Sequence, residues 1–555
     1  MPLRFPPRAN ESYAQPLTIR HLLEGNALST APQEIVYRDQ LRMSYADLRK
    51  RIGKLVAMLS GLGVEQGATV AVLDWDSHRY LEAYFAVPLM GAVLQTANIR
   101  LSPDQLHYTL DHAGAELLLV HRDFLPTIDA MRASLPRVHS IVALMDGVDE
   151  RPPTWCVGEY EALILSSVQQ TEFEDFDENA LATTFHTSGT TGLPKAVCFT
   201  HRQMVLHTLA LAAALGTAEG AGLRRGDVYM PLTPMFHVHA WGMPYIATML
   251  GLKQVYPGRY EPDRILAMRE QEGVSFSHCV PTVFQMLLGA LGDKRLDGWH
   301  LVIGGSAVTR ELYDAAEAVG AAITVGYGMS ETGPVVALGR SGPDRYDVIR
   351  SGTPVPLASA KIVGPDMEDL ATDDEALGEV VVRSPWLTLS YPGDDAASKQ
   401  LWRGGWLHTQ DIATIRQDGS IQIRDRIKDV IKTGGEWISS LALEDLIVAR
   451  DDVAEVAVIG IPDPKWQERP LAVIVPAFGM LPTLEDVRAT LGAAIASGKI
   501  SRIAQVDSIH CVAALPRTSV GKIDKKAIRE MVAATGESSA SASIPKHEPI
   551  VGDGS

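Results

Sequence analysis

Four cysteines, Cys156, Cys198, Cys279 and Cys511, are too few and too scattered for a disulfide scaffold or a C-x-x-C metal site. They read as buried thiols of a reducing compartment. Basic charge is scarce too: 50 Lys and Arg stand against 67 Asp and Glu, a formal net charge of -17. That argues against nucleic acid or an anionic membrane as main partner, since both reward a basic face. A small polyanion held locally by Mg2+ and backbone N–H groups stays compatible with it. No apolar signal region follows the early arginines of "MPLRFPPRANESYAQPLTIR". The greasiest helical stretch, "MVLHTLALAAALG" from Met204, is too short to cross a bilayer and carries His207. It reads as a buried core helix, and the cytoplasm is the expected location.

What is present is a long alternation of strand and helix. "SYADLRKRIGKLVAMLSGLG" starts on a plausible cap, Ser44, and repeats apolar residues Leu48, Ile52, Leu55, Val56 and Leu59 at helical spacing. "ATVAVLDW", "AELLLVH", "HLVIGG" and "AAITVGYG" read as buried strands, and "HRYLEAYFAVPLMGA" and "SAVTRELYDAAEAVG" as helices between them. Apolar strands separated by helices predict a largely parallel sheet covered on both faces, so the fold class is α/β. Character changes near residue 412. "IATIRQDGSIQIRD" predicts an antiparallel hairpin turning at Asp418-Gly419. "VAEVAVIGIP", "RPLAVIVP" and a helix capped near Thr483 then predict a compact α+β domain of roughly 110 residues. The Ser/Ala-rich end, 536–555, reads as a disordered tail.

One stretch, "HTSGTTGLPK" (His186 to Lys195), is poor core material. It is not a Walker loop, because Lys195 is followed by Ala196 rather than Ser or Thr. Its glycines nevertheless let backbone N–H groups approach an anion. Thr187, Ser188, Thr190 and Thr191 offer hydroxyls, and Lys195 offers charge. A flexible surface turn is the competing reading. Companions weigh against it. "VGYGMSETG" follows a buried strand, where parallel strand ends form a ligand crevice, and holds Tyr327 and Glu331, a candidate oxygen ligand for Mg2+. "GGWLHTQDIA" places Asp411 before the hairpin, "RDRIKDVIKTGGEWISS" supplies Arg426 and Lys428, and "LPRTSVGKIDKKAIRE" presents Lys522 after a glycine.

Taken in this order, the segments resemble the adenylate-forming (AMP-binding) superfamily of acyl-CoA synthetases, adenylation domains and firefly-type luciferases. The likeness runs from about Ser44 to Arg529. "MFHVHAWGMPY" and "KTGGEWIS" look most similar to medium- and long-chain fatty acyl-CoA synthetases and methylthiopropionate-CoA ligases. The resemblance implies a large N-terminal lobe of parallel-sheet-plus-helix subdomains over 1–427, holding the ATP and acyl sites. A small mobile α+β C-terminal domain follows over 428–535. It implies ATP, Mg2+ and coenzyme A, with a carboxylate attacking the α-phosphorus of ATP and the thiol then displacing AMP.

By the same resemblance, Thr187, Ser188, Gly189, Thr190, Thr191, Gly192 and Lys195 hold the outer phosphates. Glu331 and Thr332 face the α-phosphate, with Thr187 and Glu331 toward Mg2+. Gly304, Gly305, Ser306, Gly326, Tyr327, Gly328 and Met329 line the adenine slot, and Asp411 with Arg426 grips the ribose. Lys522 bridges the attacking carboxylate and the α-phosphate. His237 gates the acyl site, whose wall is Trp241, Gly242, Met243, Val280, Pro281, Thr282 and Met329. Lys428 is the hinge, and Gly434, Gly435 and Trp437 line the pantetheine tunnel. One departure is visible: the family usually has Thr-Gly-Asp where this chain has Thr409-Gln410-Asp411.

Each of these has a plainer alternative. Glu331 would be a solvated loop carboxylate, Asp411 a turn cap, His237 and His239 core histidines, and Lys522 part of a solvated basic run with Lys525, Lys526 and Arg529. No carboxylate occurs in "PMFHVHAWGMPY" to pair a substrate ammonium, so the expected acid has an uncharged tail, with a medium-chain fatty acid favoured. A short-chain, methylthiopropionate-type or aryl acid is the alternative substrate. A carrier-loading module, a luciferase-like oxygenase and a non-catalytic binding protein are the alternative classes, and a homodimer is a further expectation.

Overall fold

The structure, a computed structural model, describes residues 3–25, 33–147, 151–187, 193–218, 222–433, 436–518 and 522–534. The chain forms two compact units: Met1–Thr409 with Thr414–Gln422, and Gln410–Ala413 with Ile423–Ser555.

Besides the antiparallel pair Ser359–Val363 and Gly378–Arg383 of a smaller sheet, the first unit carries two large ones. One runs Gly158–Glu159, Ser140–Leu144, Ala115–His121, Thr69–Leu73, Val93–Thr96, Leu181–His186, Ala196–Thr200, and is parallel except for its last pair. The other has nine strands. Its centre is Ala322–Gly328, His300–Gly304, Phe276–Cys279, Val228–Pro231, Lys253–Tyr256 and Glu34–Tyr37, all parallel. Antiparallel strands close both margins. The apolar strand runs are explained by this: helices cover both faces, and Val70, Ala71, Val72 and Leu73 are all buried.

Local signals act as expected. Ser44 caps Tyr45–Gly61 in a reciprocal capping box with Asp47, and all five periodic apolar residues are buried. His78–Leu89, capped by Ser77, is buried all round. In His201–Gly216 one face is buried, including His207, but Leu209 is 45% exposed, so this helix is amphipathic rather than wholly internal. The cysteine reading needs a larger correction. Only Cys279 is buried; Cys156 and Cys198 are half-buried and Cys511, at the end of strand Ser508–Cys511, is exposed.

In the second unit, Val453–Asp463 and Gln467–Pro476 form a long antiparallel pair, flanked by Ile431–Thr433 and Ser508–Cys511. Ser440–Val448 and Leu484–Ala496, the latter capped by Thr483, pack on one face with Ile431, Val458 and Ile474. Lys525–Ala534 covers the other through Ile528 and Val532, against Ala457, Ile459 and Val473. Both faces are covered, which is why this antiparallel sheet also reads as continuous apolar runs. The motif Lys525 is not on a solvated face: its Nζ lies 2.6 Å from Glu444 and 2.5 Å from the Ser440 hydroxyl. Arg529 pairs with Asp429 at 2.8 Å.

Candidate active site

Ala322–Gly328 ends beside His300–Gly304, in register Gly304 to Gly326. The turn that follows is fixed by its own hydroxyl and its neighbours. The Met329 N–H donates to Thr332 Oγ1 at 2.9 Å, and the Trp386 indole N–H donates to the Thr332 carbonyl at 3.0 Å. The Thr388 N–H donates to the Glu331 carbonyl at 3.0 Å. Glu331 is consequently held at 6% exposure and Thr332 at 0%. The Tyr391 hydroxyl donates to Glu331 Oε1 at 2.6 Å. Burial and that neighbouring carboxylate push the Tyr391 phenol well above its ordinary range, so it stays a donor.

Lys195 joins the same cluster. Its ammonium sits 4.7 Å above the Tyr391 ring and 3.6 Å from Asp394. The Thr187 N–H donates to the Lys195 carbonyl at 2.9 Å, closing the base of the hydroxyl-rich loop between antiparallel strands. Ser188, Gly189, Thr190, Thr191 and Gly192 lie outside the described residues. The structure thus brings Lys195 and Glu331 together around Tyr391, with Thr187 bonded to the Lys195 carbonyl and Thr332 in the same short turn as Glu331. Gly305 and Ser306 are exposed at the strand ends, and Tyr327, Gly328 and Met329 are half-buried there. A buried carboxylate plus a threonine hydroxyl is an oxygen donor set that suits Mg2+ shared with phosphates and water. Among the described residues, no group of three or more His, Cys, Asp or Glu forms a cage of its own.

The segment "HVHAWG" takes an unusual path. Val238, His239, Ala240, Trp241 and Gly242 all have positive φ, from 45° to 76°, a full left-handed turn. For the four non-glycine residues this costs about 1–2 kcal/mol each. Surrounding contacts hold it in place. Tyr84 donates to the Met235 carbonyl, Thr96 donates to the Phe236 carbonyl at 3.0 Å, and His239 bonds Thr183. The Met235 N–H donates to Asp76 at 2.8 Å, and burial pushes that carboxyl up to about 7. His239 is thus a core histidine, whereas His237, Val280 and Thr282 are half-buried. Trp241 packs where a side chain on Gly304 would be: a Cβ there would meet the Gly326 carbonyl at 2.2 Å and the indole at 3.2 Å. Pro281 and Met243 are buried.

In the second unit, Arg426 Nε lies 3.3 Å from Asp411, which is 5% exposed. Gln410 has φ +63°, the left-handed conformation that glycine adopts without strain, and its carbonyl accepts from the Ile427 N–H at 2.9 Å. Thr518 and Lys522 close a small loop: Thr518 N–H donates to the Lys522 carbonyl at 2.7 Å, and Lys522 N–H to Thr518 Oγ1 at 3.3 Å. Lys428 is exposed, with its carbonyl accepting from Arg529 at 3.2 Å. Trp437 is 43% exposed on strand Glu436–Ile438; Gly434 and Gly435 lie outside the described residues. Sequence reasoning missed Tyr391, Asp394, Trp386 and Thr388. All four fall in "PWLTLSYPGD", which carries no strong local pattern and sits beside Glu331 only through the fold.

Known proteins match this chain over most of its length. Residues 24–392 match the AMP-binding enzyme family and 442–522 the AMP-binding enzyme C-terminal domain. A long-chain-fatty-acid–CoA ligase of Thermus thermophilus is 39% identical, over 93% of this chain and 95% of its own. A 3-methylmercaptopropionyl-CoA ligase of Ruegeria lacuscaerulensis is 35% identical, over 93% and 97%. Among solved structures, the anthranilate CoA ligase AuaEII in complex with anthranoyl-AMP superposes with a TM-score of 0.82 at 25% identity, over 94% of this chain and 99% of its own. The chain belongs to the AMP-binding enzyme family and is an adenylate-forming acid–CoA ligase.

Proposed function

We propose that the chain activates a medium-chain fatty acid in two steps. The acid's carboxylate oxygen attacks the α-phosphorus of ATP and pyrophosphate leaves. The coenzyme A sulfur then attacks the acyl carbon, AMP leaves, and the thiol proton is lost to solvent. Both reactants of the first step are anions, so the help required is electrostatic and positional. Thr187, Lys195 and the loop between them serve the outer phosphates, Glu331 and Thr332 the α-phosphate, and Asp411 with Arg426 the ribose. Glu331 and Thr187 would hold Mg2+, which would supply charge neutralisation at the phosphates. Lys522 brings a compact positive charge to the bond being made, and Lys428 lets the small domain turn so that Gly434, Gly435 and Trp437 serve the thiol step.

The observation that carries this reading is the Lys195–Tyr391–Glu331 cluster, which joins a phosphate-loop amine to a buried carboxylate at parallel strand ends. The medium-chain choice rests on the apolar wall around Trp241 and on relatives named as long-chain-fatty-acid, medium-chain-fatty-acid and 3-methylmercaptopropionyl-CoA ligases. Work in the cytoplasm, where Cys511 stays reduced, and a homodimer complete the proposal. The test is pyrophosphate release over straight-chain acids from about C2 to about C16, with and without coenzyme A. Release that peaks at intermediate length supports the reading, and release only with amino acids defeats it.

A further inference from the structure

Among the described residues, two further rings follow Trp241 into the first unit. The indole leans on His278, with ring centroids 5.2 Å apart at 43°. His278 lies flat on Tyr229, 5.8 Å apart at 9°, and its Nε2 is 2.9 Å from the Tyr229 hydroxyl. The strand register orders these rings. His278 pairs with Pro231 at the ends of their strands, and Tyr229 sits two residues farther back on the same face. The stack therefore descends from the strand ends into the sheet: Trp241, then His278, then Tyr229. All three are buried, the last two completely.

The stack is polar where a long alkyl chain would want hydrocarbon. Tyr229 has its hydroxyl hydrogen to place and, among the described residues, only His278 Nε2 to receive it. That leaves the proton of the imidazole on Nδ1, which has no hydrogen-bond partner among the described residues. Burial keeps the ring neutral, its pKa lowered to about 3. A methylene pushed against this floor satisfies nothing and displaces a closed ring stack, so the usual gain of about 0.8 kcal/mol per buried CH2 is lost there.

We infer that His278 and Tyr229 form the floor of the acyl site under Trp241 and set the longest tail the enzyme accepts, rejecting long-chain acids. This deepens the ligase reading and rests on it, because the tail can point at the stack only if the carboxylate is activated beside Glu331. The two residues touch the end of the substrate, not the reacting atoms, so they act on specificity.

Two readouts test it. One is kcat/KM for pyrophosphate release across straight-chain acids. The other, independent of turnover, is the affinity of acyl-sulfamoyl adenosine analogues of the same tail lengths. In the native enzyme both should fall about tenfold or more at the first tail that exceeds the floor. His278→Ala with Tyr229→Phe, made together so that neither polar partner is orphaned, should recover about tenfold at that length while shorter acids change little. His278→Leu with Tyr229→Phe, which keeps the volume and orphans no polar group, should retain the cut-off, and melting temperatures confirm that each variant folds. A native profile flat through about C16, or a folded double variant whose two profiles overlay the native ones, overturns the inference. Failure of pyrophosphate release with every acid, while analogue affinities still break at one length, would instead strike the ligase reading and leave the floor standing.

Discussion

Replacing Tyr391 by Phe removes one hydroxyl and nothing else. That hydroxyl donates to Glu331 Oε1 at 2.6 Å inside a buried turn. Hydrogen bonds to a charged group contribute about 1.5–3 kcal/mol, which converts to roughly a ten- to hundredfold loss. The aromatic face under Lys195, at 4.7 Å, survives in Phe, so the loop amine stays placed. The loss should therefore fall on the pyrophosphate-forming half-reaction, the step proposed for Glu331, and spare acyl transfer from supplied acyl-AMP. Tyr391→Leu also removes the ring and should cost a further twofold or more, with a rise in the KM for ATP, from the missing cation–π contact of about 0.5–1 kcal/mol. Pre-steady-state pyrophosphate release and thioester formation from synthetic acyl-AMP separate the two. A loss below about threefold in Tyr391→Phe, or equal losses in both half-reactions, would refute the assignment of Tyr391 as the residue that positions Glu331.

Other expectations follow from the same geometry. Gln410→Gly should raise stability or leave it level, since relief of the φ +63° strain of about 1 kcal/mol offsets the entropy that glycine costs; a clear drop in melting temperature would contradict this. Gly242→Ala, at φ +76° with its new Cβ 2.9 Å from His207 Nδ1, should destabilise by about 1–3 kcal/mol in urea titration. Acid should weaken the fold well above the carboxylate range. Burial lowers His186, His239 and His278 to about 3 and His201 and His207 to about 4. The unfolded chain takes up protons that these rings refuse when folded, so stability falls as pH drops from about 6.5 toward 4, by at most about 1.4 kcal/mol per pH unit for each ring. Burial raises Asp76 and Glu444 to about 7, and these two oppose the trend as pH falls below that value, but the histidines outnumber them. A urea midpoint that holds steady or rises between pH 6.5 and 5 would contradict the balance.

Much of the architecture was legible because its signals are local. Ser44 and Thr483 cap their helices where a side-chain oxygen precedes a 3.6-residue apolar period, and the parallel strands appear as short apolar runs. The split into seven- and nine-stranded sheets was not legible, since it depends on pairings such as Ile35 with Gln254 that no local pattern encodes. The left-handed turn was hidden for a different reason. Val238, His239, Ala240 and Trp241 have no intrinsic preference for positive φ, and contacts from Tyr84, Thr96 and Thr183 impose it. The site divided along the same line. Lys195 and Glu331 stand in motifs, whereas Tyr391 reaches Glu331 from a stretch without one, and His278 is an ordinary strand residue until the fold sets it between Trp241 and Tyr229.

Lys522 is proposed to serve the first half-reaction and the loop beyond Lys428 the second, so each step should be lost separately. Acyl-AMP formation and thioester formation from supplied acyl-AMP, measured side by side in Lys522→Ala and Lys428→Pro, test it most directly. Lys522→Ala should lose the first and keep the second, and Lys428→Pro should do the reverse. Equal loss of both half-reactions in both variants would contradict it.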